Sequence, residues 1–581
     1  MNNQYYSTER NIQILLSVLK ANGIRKVIAS PGTTNFSLVG SMQNDPYFEI
    51  YSSVDERSAA YIAVGLSSQS GEPVLLTCTG ATASRNYYPG MTEAYYRKLP
   101  ILAVTSHQGI DRIGQLIPQN IDRKNIANDA AILSVDLPEV KDKRDERYVT
   151  IQANKAILAL RQNGGGPVHI NITTTYSKDF SIKDLPDVKI FHRYHAWDTL
   201  PEIPKGKIGI FVGAHNKFSE KEIRAIESFC STYNAVVFCD HTSGYYGKYR
   251  VLPTLSLLQR SGSCPIATLD LLIHIGEVSA ATFAGYIPTK EIWRVSEDGE
   301  IRNPFRLLKN VFQMSETFFF SHYAEPGHND DSFAQNCKEA FGEIYANIPD
   351  LPFSNIWIAQ QLSPKIPEGS IFHISASHSR RAWNIFPFKN SVETMCNVGC
   401  CGIDGCTSTL IGASLAEPNK LCYLVTGDLA FFYDLNVLGN HHVDRNVRIL
   451  LINNGIGGEF KLGIHPCTVV FGDESNKYMA AGGHFGNKSP NLIKHFSQDL
   501  GFTYLSASTK EEFLKNMNTF VSTDMRDKPM IFEVFTDAKI ESEALDMISS
   551  IHTDATGMAK SMAKKLLGDK GIKKLKDILD R

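Results

Sequence analysis

Short, continuous apolar runs of strand length recur along most of this chain and alternate with helical patterns, which restricts it to parallel α/β architecture. The runs are Val74–Cys78, Ile101–Thr105, Ile208–Val212, Val236–Cys239, Leu271–Ile275, Ile371–Ser375, Leu421–Thr426, Arg448–Ile452 and Ile531–Phe535. A strand that is apolar on both faces must be covered on both faces, and in parallel sheets the crossover helices supply that cover. The runs fall into three groups, and 581 residues suit three domains of roughly 100–200 residues each. A strand-poor, charged stretch from Tyr176 to Pro204 is expected to be a linker, and Phe318 to Leu351 separates the second group from the third. The expected fold is therefore α/β, with three doubly wound parallel-sheet domains near 1–185, 190–340 and 350–560. Beyond them, 561–581 reads as a basic amphipathic helix, with Met562, Leu566, Ile572, Leu575 and Leu579 at helical spacing.

Lys plus Arg number 59 against 61 Asp plus Glu, a net charge of −2 that gives no reason to expect a nucleic-acid or anionic-membrane partner. The opening MNNQYYSTERNIQ lacks the basic-then-apolar pattern of a secretion signal, and no apolar run approaches the roughly 18 residues that span a bilayer, so a cytoplasmic location is expected. Several of the eleven cysteines (Cys78, Cys239, Cys422) sit inside strand-like runs and read as buried, reduced thiols. Cys400, Cys401 and Cys406 form no paired CxxC set and are expected to serve packing.

The most informative stretch is LCYLVTGDLAFFYDLNVLGNHHVDRNVRILLINNGIGGEF, from Leu421. One apolar strand ends in Gly427-Asp428, a helix follows, and a second strand ends in Asn453-Asn454. Both strand ends of a parallel βαβ unit open on the same edge, where ligands of such sheets bind, so Asp428 and Asn454 can meet. A carboxylate with amide and carbonyl oxygens is a hard-cation set, and Mg²⁺ held by few protein ligands completes its shell with substrate phosphates. The pair thus points to Mg²⁺ and a diphosphate-bearing cofactor. Taken singly, the same residues are also those of a helix cap and an Asn-Asn-Gly turn. His441-His442 reads as a structural part of the intervening helix.

Gly-Asp-x followed one strand later by Asn-Asn resembles the diphosphate-anchoring motif of the thiamine-diphosphate-dependent enzymes, whose three α/β domains match the division above. The third motif position, usually Gly, is Leu429 here. Together with Tyr433-Asp434-Leu435-Asn436 and the run Asn397 to Gly405, it is similar to the menaquinone-pathway branch, which joins 2-oxoglutarate to isochorismate. Ser30-Pro31-Gly32, Asp55-Glu56-Arg57-Ser58-Ala59 with Gly65-Leu66, and Pro100 to Thr105 stand in that family's order. The resemblance implies that Glu56 hydrogen-bonds the cofactor's aminopyrimidine, and that Ile403 wedges the cofactor into a bent shape. It places Gly402, Gly427 and Leu429 beside the cofactor, and gives Mg²⁺ to Asp428, Asn454 and the main-chain carbonyl of Ile456. Thiamine diphosphate would supply the electron sink for decarboxylation of a 2-oxo acid. The family also implies a homodimer or homotetramer, with active sites at the subunit interface.

The substrate side departs from that branch. Where it has Ser-Arg-Ser, this chain has Thr33-Thr34-Asn35; for Ala-Asp-Arg-Pro it has Ser106-His107-Gln108-Gly109; for Asn-Arg, Asn397-Val398; for Asn-Ser, Ala376-Ser377. Gln119 and Arg381 stand where the branch has a substrate-side glutamine and a carboxylate-binding arginine. Losing three guanidinium groups, each worth roughly 1.5–3 kcal/mol in a charged hydrogen bond, argues against the menaquinone reaction itself. Thr33, Asn35, His107, Gln108, Gln119, His378, Arg380 and Arg381 are the candidate substrate residues, with a histidine available for proton transfer near neutral pH. The expected activity is decarboxylation of a 2-oxo acid with transfer of the resulting acyl-anion fragment to an acceptor. The rival readings are a decarboxylase that releases an aldehyde and a non-catalytic cofactor-binding subunit.

Overall fold

The computed structural model describes residues 5–551 apart from 124, 261–263, 280–285, 328–329, 464, 485–487 and 526; the helix expected at 561–581 lies outside the described residues. The chain divides into two compact units, one running to Tyr194 and including Lys309–Val311, the other built from the remainder.

The first unit carries a six-stranded sheet: β1 (Lys26–Ala29), β2 (Glu49–Ser52), β3 (Val74–Cys78), β4 (Ile101–His107), β5 (Leu133–Leu137) and β6 (Val168–Thr173), in the order β2-β1-β3-β4-β6-β5. Every pairing is parallel. The apolar runs bury both faces by alternation: Leu75 joins a layer with Ile12, Leu15 and Leu19, while Val74, Leu76 and Cys78 join one with Ala59, Ala63 and Met91. That second layer seats the helix Glu56–Ser70 against the helix Tyr88–Tyr96 at a glycine. A Cβ on Gly90 would lie 2.5 Å from the Ala60 Cβ and 2.9 Å from its carbonyl carbon. Gly90→Ala is therefore expected to destabilise this unit by about 1–3 kcal/mol, because backbone cannot yield as a side chain can. A lowered melting temperature by calorimetry is the check.

After β7 (His192–His195), which interrupts the stretch read as a linker, come β8 (Ile208–Val212), β9 (Val236–Phe238), β10 (Arg250–Val251), β11 (Leu271–Ile275), β12 (Ile292–Ser296) and β13 (Leu308–Gln313). The middle sheet runs β10-β9-β8-β11-β12, all parallel. The third sheet comprises β14 (Ile371–Ile374), β15 (Glu393–Met395), β16 (Cys422–Gly427), β17 (Val447–Asn453), β18 (Thr503–Ala507) and β19 (Met530–Phe535). Its order, β15-β14-β16-β17-β19-β18, repeats strand for strand the wiring of the first sheet. Tyr423 and Val425 face a layer with Trp357, Trp383 and Phe532, and Cys422 and Leu424 face one with Leu410, Ile411 and Phe431. Within the second unit, buried His241 ties the middle sheet to the third: its Nε2 lies 2.8 Å from the Phe386 carbonyl, and its own carbonyl accepts from Thr394 Oγ1 at 2.6 Å.

Candidate functional site

In a sheet wired this way the chain leaves the first strand toward one side and returns on the other, which opens a crevice at the carboxyl ends of the two strands flanking the switch. In the third sheet those strands are β14 and β16, paired in parallel with Ile374 beside Val425. The crevice is open. A cavity of about 100 Å³ is lined by Ala376, Ser377 and His378 after β14, by Gly427, Asp428 and Leu429 after β16, and by Asn454, Ile456, Gly457, Gly458 and Glu459 after β17; Ile403 also lines it. The register sets Gly427 beside Ile452, so Asp428 and Asn454 emerge together on one edge. Of the two asparagines at the end of β17, Asn453 is structural, its Nδ2 donating to Glu533 Oε1 at 2.7 Å, while Asn454 faces the cavity.

Asp428 is 3% exposed. Burial pushes its carboxyl up to about 7, opposed by backbone hydrogen bonds at its own residue, Leu429 and Gly455, and reinforced by the nearby Glu533 carboxylate. No lysine or arginine lines the cavity. A buried carboxylate is costly unless a cation offsets the lost hydration, so the donor set calls for a cation supplied from outside the chain. Two further polar atoms of the lining are buried without a partner, His378 Nδ1 and Asn355 Nδ2. The loop past Asn454 admits a close approach, for a Cβ on Gly458 would lie 2.9 Å from Asn454 Nδ2. A carboxylate, an amide, the unpaired side-chain N–H of Asn355 and a glycine cradle fit a divalent metal carrying a diphosphate.

Two lining residues, Asn355 and Glu459, and Glu541 behind them carry no motif and were not singled out from sequence. Glu541, fully buried, accepts from the Asn355 backbone N–H at 2.9 Å and stands 3.2 Å from His378 Nε2, which fixes the imidazole with its other nitrogen unpaired. Asn355 Oδ1 accepts from Trp383 Nε1 at 2.8 Å, which aligns the amide. Glu459 Oε1 accepts from Arg381 Nη2 at 2.5 Å, and its Oε2 stands 3.4 Å from Ser377 Oγ.

Several expectations change. Arg381 lies behind Glu459 and outside the cavity lining, and Arg380 turns its Nη1 to Cys401 Sγ at 3.5 Å. Gly402 borders a separate surface depression with Cys400, Asp404 and Thr409. Of the cysteines expected to serve packing, Cys406 is buried, but Cys400 and Cys401 are exposed, because the loop that bears them runs over the surface. His441 and His442 lie in an exposed turn, since the helix ends at Tyr433 and gives way to a short 3-10 turn.

In the first unit, Glu56 opens the helix Glu56–Ser70, half-buried, with Asn86 Nδ2 3.3 Å from its Oε2; the helix cap is Asp55, which accepts from the Ser58 backbone. Asn35 is buried, donates to the Ser30 carbonyl at 3.0 Å and leaves its Oδ1 unpaired. Thr33 and Gln119 are exposed, Gln119 in a left-handed turn (φ 65°). Gln108 is held by Tyr176 and Arg112. His107 departs from expectation: Nδ1 accepts from the Gly109 backbone at 3.1 Å, Nε2 is 3.2 Å from Thr173 Oγ1, and burial with the Arg123 charge lowers its pKa to about 4. With both nitrogens engaged and the ring neutral, it is a structural group, not a proton donor near neutral pH. Arg123, also missed, is 4% exposed and bonds Asn171 Oδ1 at 2.5 Å.

Residues 11–126 match the thiamine pyrophosphate enzyme family, N-terminal TPP binding domain. With three parallel sheets and the open crevice on the third, the chain is similar to the thiamine-diphosphate-dependent enzymes. Within that class it is 29% identical over 569 residues to the 2-succinyl-5-enolpyruvyl-6-hydroxy-3-cyclohexene-1-carboxylate synthase of Phocaeicola vulgatus, covering 93% of this chain and 98% of the relative. The synthases of the same name from Bacteroides thetaiotaomicron (28% over 571 residues; 93% and 98%) and Flavobacterium psychrophilum (26% over 562; 92% and 97%) are similar over the same extent. Among the described residues no helix is long and apolar enough to cross a membrane.

Proposed function

We propose that this chain is a Mg²⁺- and thiamine-diphosphate-dependent carboligase that decarboxylates a 2-oxo acid and passes the fragment to an acceptor, with substrates other than those of the menaquinone reaction. The observation that carries the reading is Asp428, a buried carboxylate with no cation beside it, sharing a cavity with Asn454. Asp428, Asn454 and the Ile456 carbonyl would hold the metal, Gly427 and Leu429 would flank the diphosphate, and Ile403 would support the bent cofactor. Bound there, thiamine diphosphate supplies the electron sink for loss of CO₂. Glu56 would hold and return the proton at the aminopyrimidine, and the family arrangement implies that it does so across the interface of a homodimer or homotetramer. The missing guanidiniums at Thr33-Thr34-Asn35, His107-Gln108 and Val398 are the reason to look for substrates other than 2-oxoglutarate and isochorismate.

Calorimetric titration with thiamine diphosphate, with and without Mg²⁺, tests the cofactor; a screen of 2-oxo acids for CO₂ release, with product analysis, tests the reaction. Metal-dependent binding, CO₂ release and a carbon–carbon product are expected. Glu56→Gln should lower turnover by at least about a hundredfold while the protein still binds cofactor. Failure to bind the cofactor would end this reading, and aldehyde as the sole product with acceptors present would replace it by a simple decarboxylase.

A further inference from the structure

The charge arrangement around the open crevice bears on which 2-oxo acid it serves, an inference that rests on the reading just proposed. The lining contains two acids from its strand tips, Asp428 and Glu459, and no lysine or arginine. Behind the lining, the Arg381 guanidinium is bonded to Glu459 at 2.5 Å, with the two side chains 30% and 24% exposed. Arg381 Nε is buried without a partner, so the group has hydrogen-bonding capacity left but presents Glu459 toward the cavity. Ser377 stands 3.4 Å from the other oxygen of that carboxylate. The pair is neutral as a whole. A carboxylate on an incoming substrate would gain no net attraction here, and to reach the guanidinium it would have to displace a carboxylate already in place at short range. A hydroxyl, by contrast, meets an acceptor.

We infer that Glu459 is a specificity-determining residue that masks Arg381, and that the donor is a 2-oxo acid with a single carboxylate and a neutral side chain. A charge-assisted, partly shielded hydrogen bond of this kind sets a difference of roughly ten- to a hundredfold in affinity between donors lacking and bearing a second carboxylate. Glu459 would disfavour dicarboxylates by holding the Arg381 guanidinium that could otherwise receive them.

The test uses the holoprotein, saturated with Mg²⁺ and thiamine diphosphate, and reads binding by isothermal calorimetry. The probes are acetylphosphonate and succinylphosphonate, stable mimics of a 2-oxo acid with a neutral side chain and of a dicarboxylic one. Wild-type protein is expected to bind acetylphosphonate at least tenfold more tightly. Glu459→Gln should shift the ratio toward succinylphosphonate by ten- to a hundredfold, and Glu459→Ala should shift it in the same direction, which guards against a glutamine that simply re-forms the contact. Wild-type protein that prefers succinylphosphonate or binds both alike overturns the inference, as does a ratio unmoved in both folded variants. Failure of the proposed function itself is distinguishable, because it would show as absent heat in the preceding cofactor titration.

Discussion

Asp428→Asn is expected to abolish magnesium-dependent cofactor binding while making the empty protein more stable. The amide keeps the shape of the side chain but surrenders the only charge among the proposed metal ligands Asp428, Asn454 and the Ile456 carbonyl. Substitutions in the shell behind metal ligands already cost 10- to 100-fold, so loss of the sole charged ligand should exceed about a hundredfold. The stability effect runs the other way. Burial raises the Asp428 carboxyl from its ordinary range to about 7, so ionising it in the folded state is unfavourable. For an acid whose folded pKa is raised, stability is lost as pH rises between the unfolded and the folded values, here from about 4 to about 7, and stays lost above that window. At pH 8 removing that charge should return on the order of 2–4 kcal/mol to the apo protein, a rise of several degrees in melting temperature. Scanning calorimetry with and without Mg²⁺ and thiamine diphosphate separates the effects: wild type should gain from the ligands, the variant should start higher and gain nothing. A variant that melts lower when empty would show that Asp428 is a structural group.

Acid sensitivity should be equally marked, and it arises from histidines away from the site. Burial lowers His169, His241 and His274 to about 3, with nearby arginine charge acting in the same direction, and burial lowers His373 to about 4; His107 joins them at about 4. His169 shows why: its nitrogens bond Thr105 Oγ1 at 2.7 Å and Ser134 Oγ at 2.8 Å between strands, and no acid accompanies it. An unfolded histidine protonates near 6.5, so these groups contribute fully above that pH, and their contribution is lost progressively toward the folded values near 3 to 4. At pH 5 each costs roughly 2 kcal/mol, and two in the first unit with three in the second approach the whole margin of an ordinary domain. The melting temperature should therefore fall steeply between pH 6.5 and 5, before most carboxylates titrate. A flat profile over that interval would contradict the account, and His169→Gln should make the slope shallower.

Strands buried on both faces announce themselves in sequence, and β3, β4, β8, β11, β16, β17 and β19 coincide with the continuous apolar runs. The edge strands do not. β2 and β18 are half-exposed, and β7 occupies four residues in a charged stretch, so none carries the signature. In the candidate site, what was legible was what sits on one βαβ unit, Asp428 and Asn454 above all. Glu541 and Asn355 meet across 186 residues of sequence and are placed by the packing of two helices, which leaves no local pattern. Glu459 lies next to a recognised motif, but its partner at Arg381 comes from a different strand tip, so only the fold shows that the retained arginine is occupied. His107 reads as a proton carrier from its position alone; its neighbours remove that capacity.

The duplicated wiring of the first and third sheets has unequal outcomes at the two switch points. In the third sheet the switch-point crevice is a cavity bounded by Ser377, His378 and Asp428. Its counterpart in the first sheet, between the tips of β1 and β3, is plugged: a Cβ on Gly32 would fall 2.7 Å from the Thr79 Cβ, and Thr34 Oγ1 meets Thr79 Oγ1 at 2.5 Å and Ser106 Oγ at 2.9 Å. Two crevices of one design thus differ in access: the strand tips of the third sheet stand apart around a cavity, while those of the first are packed against each other by their own small side chains.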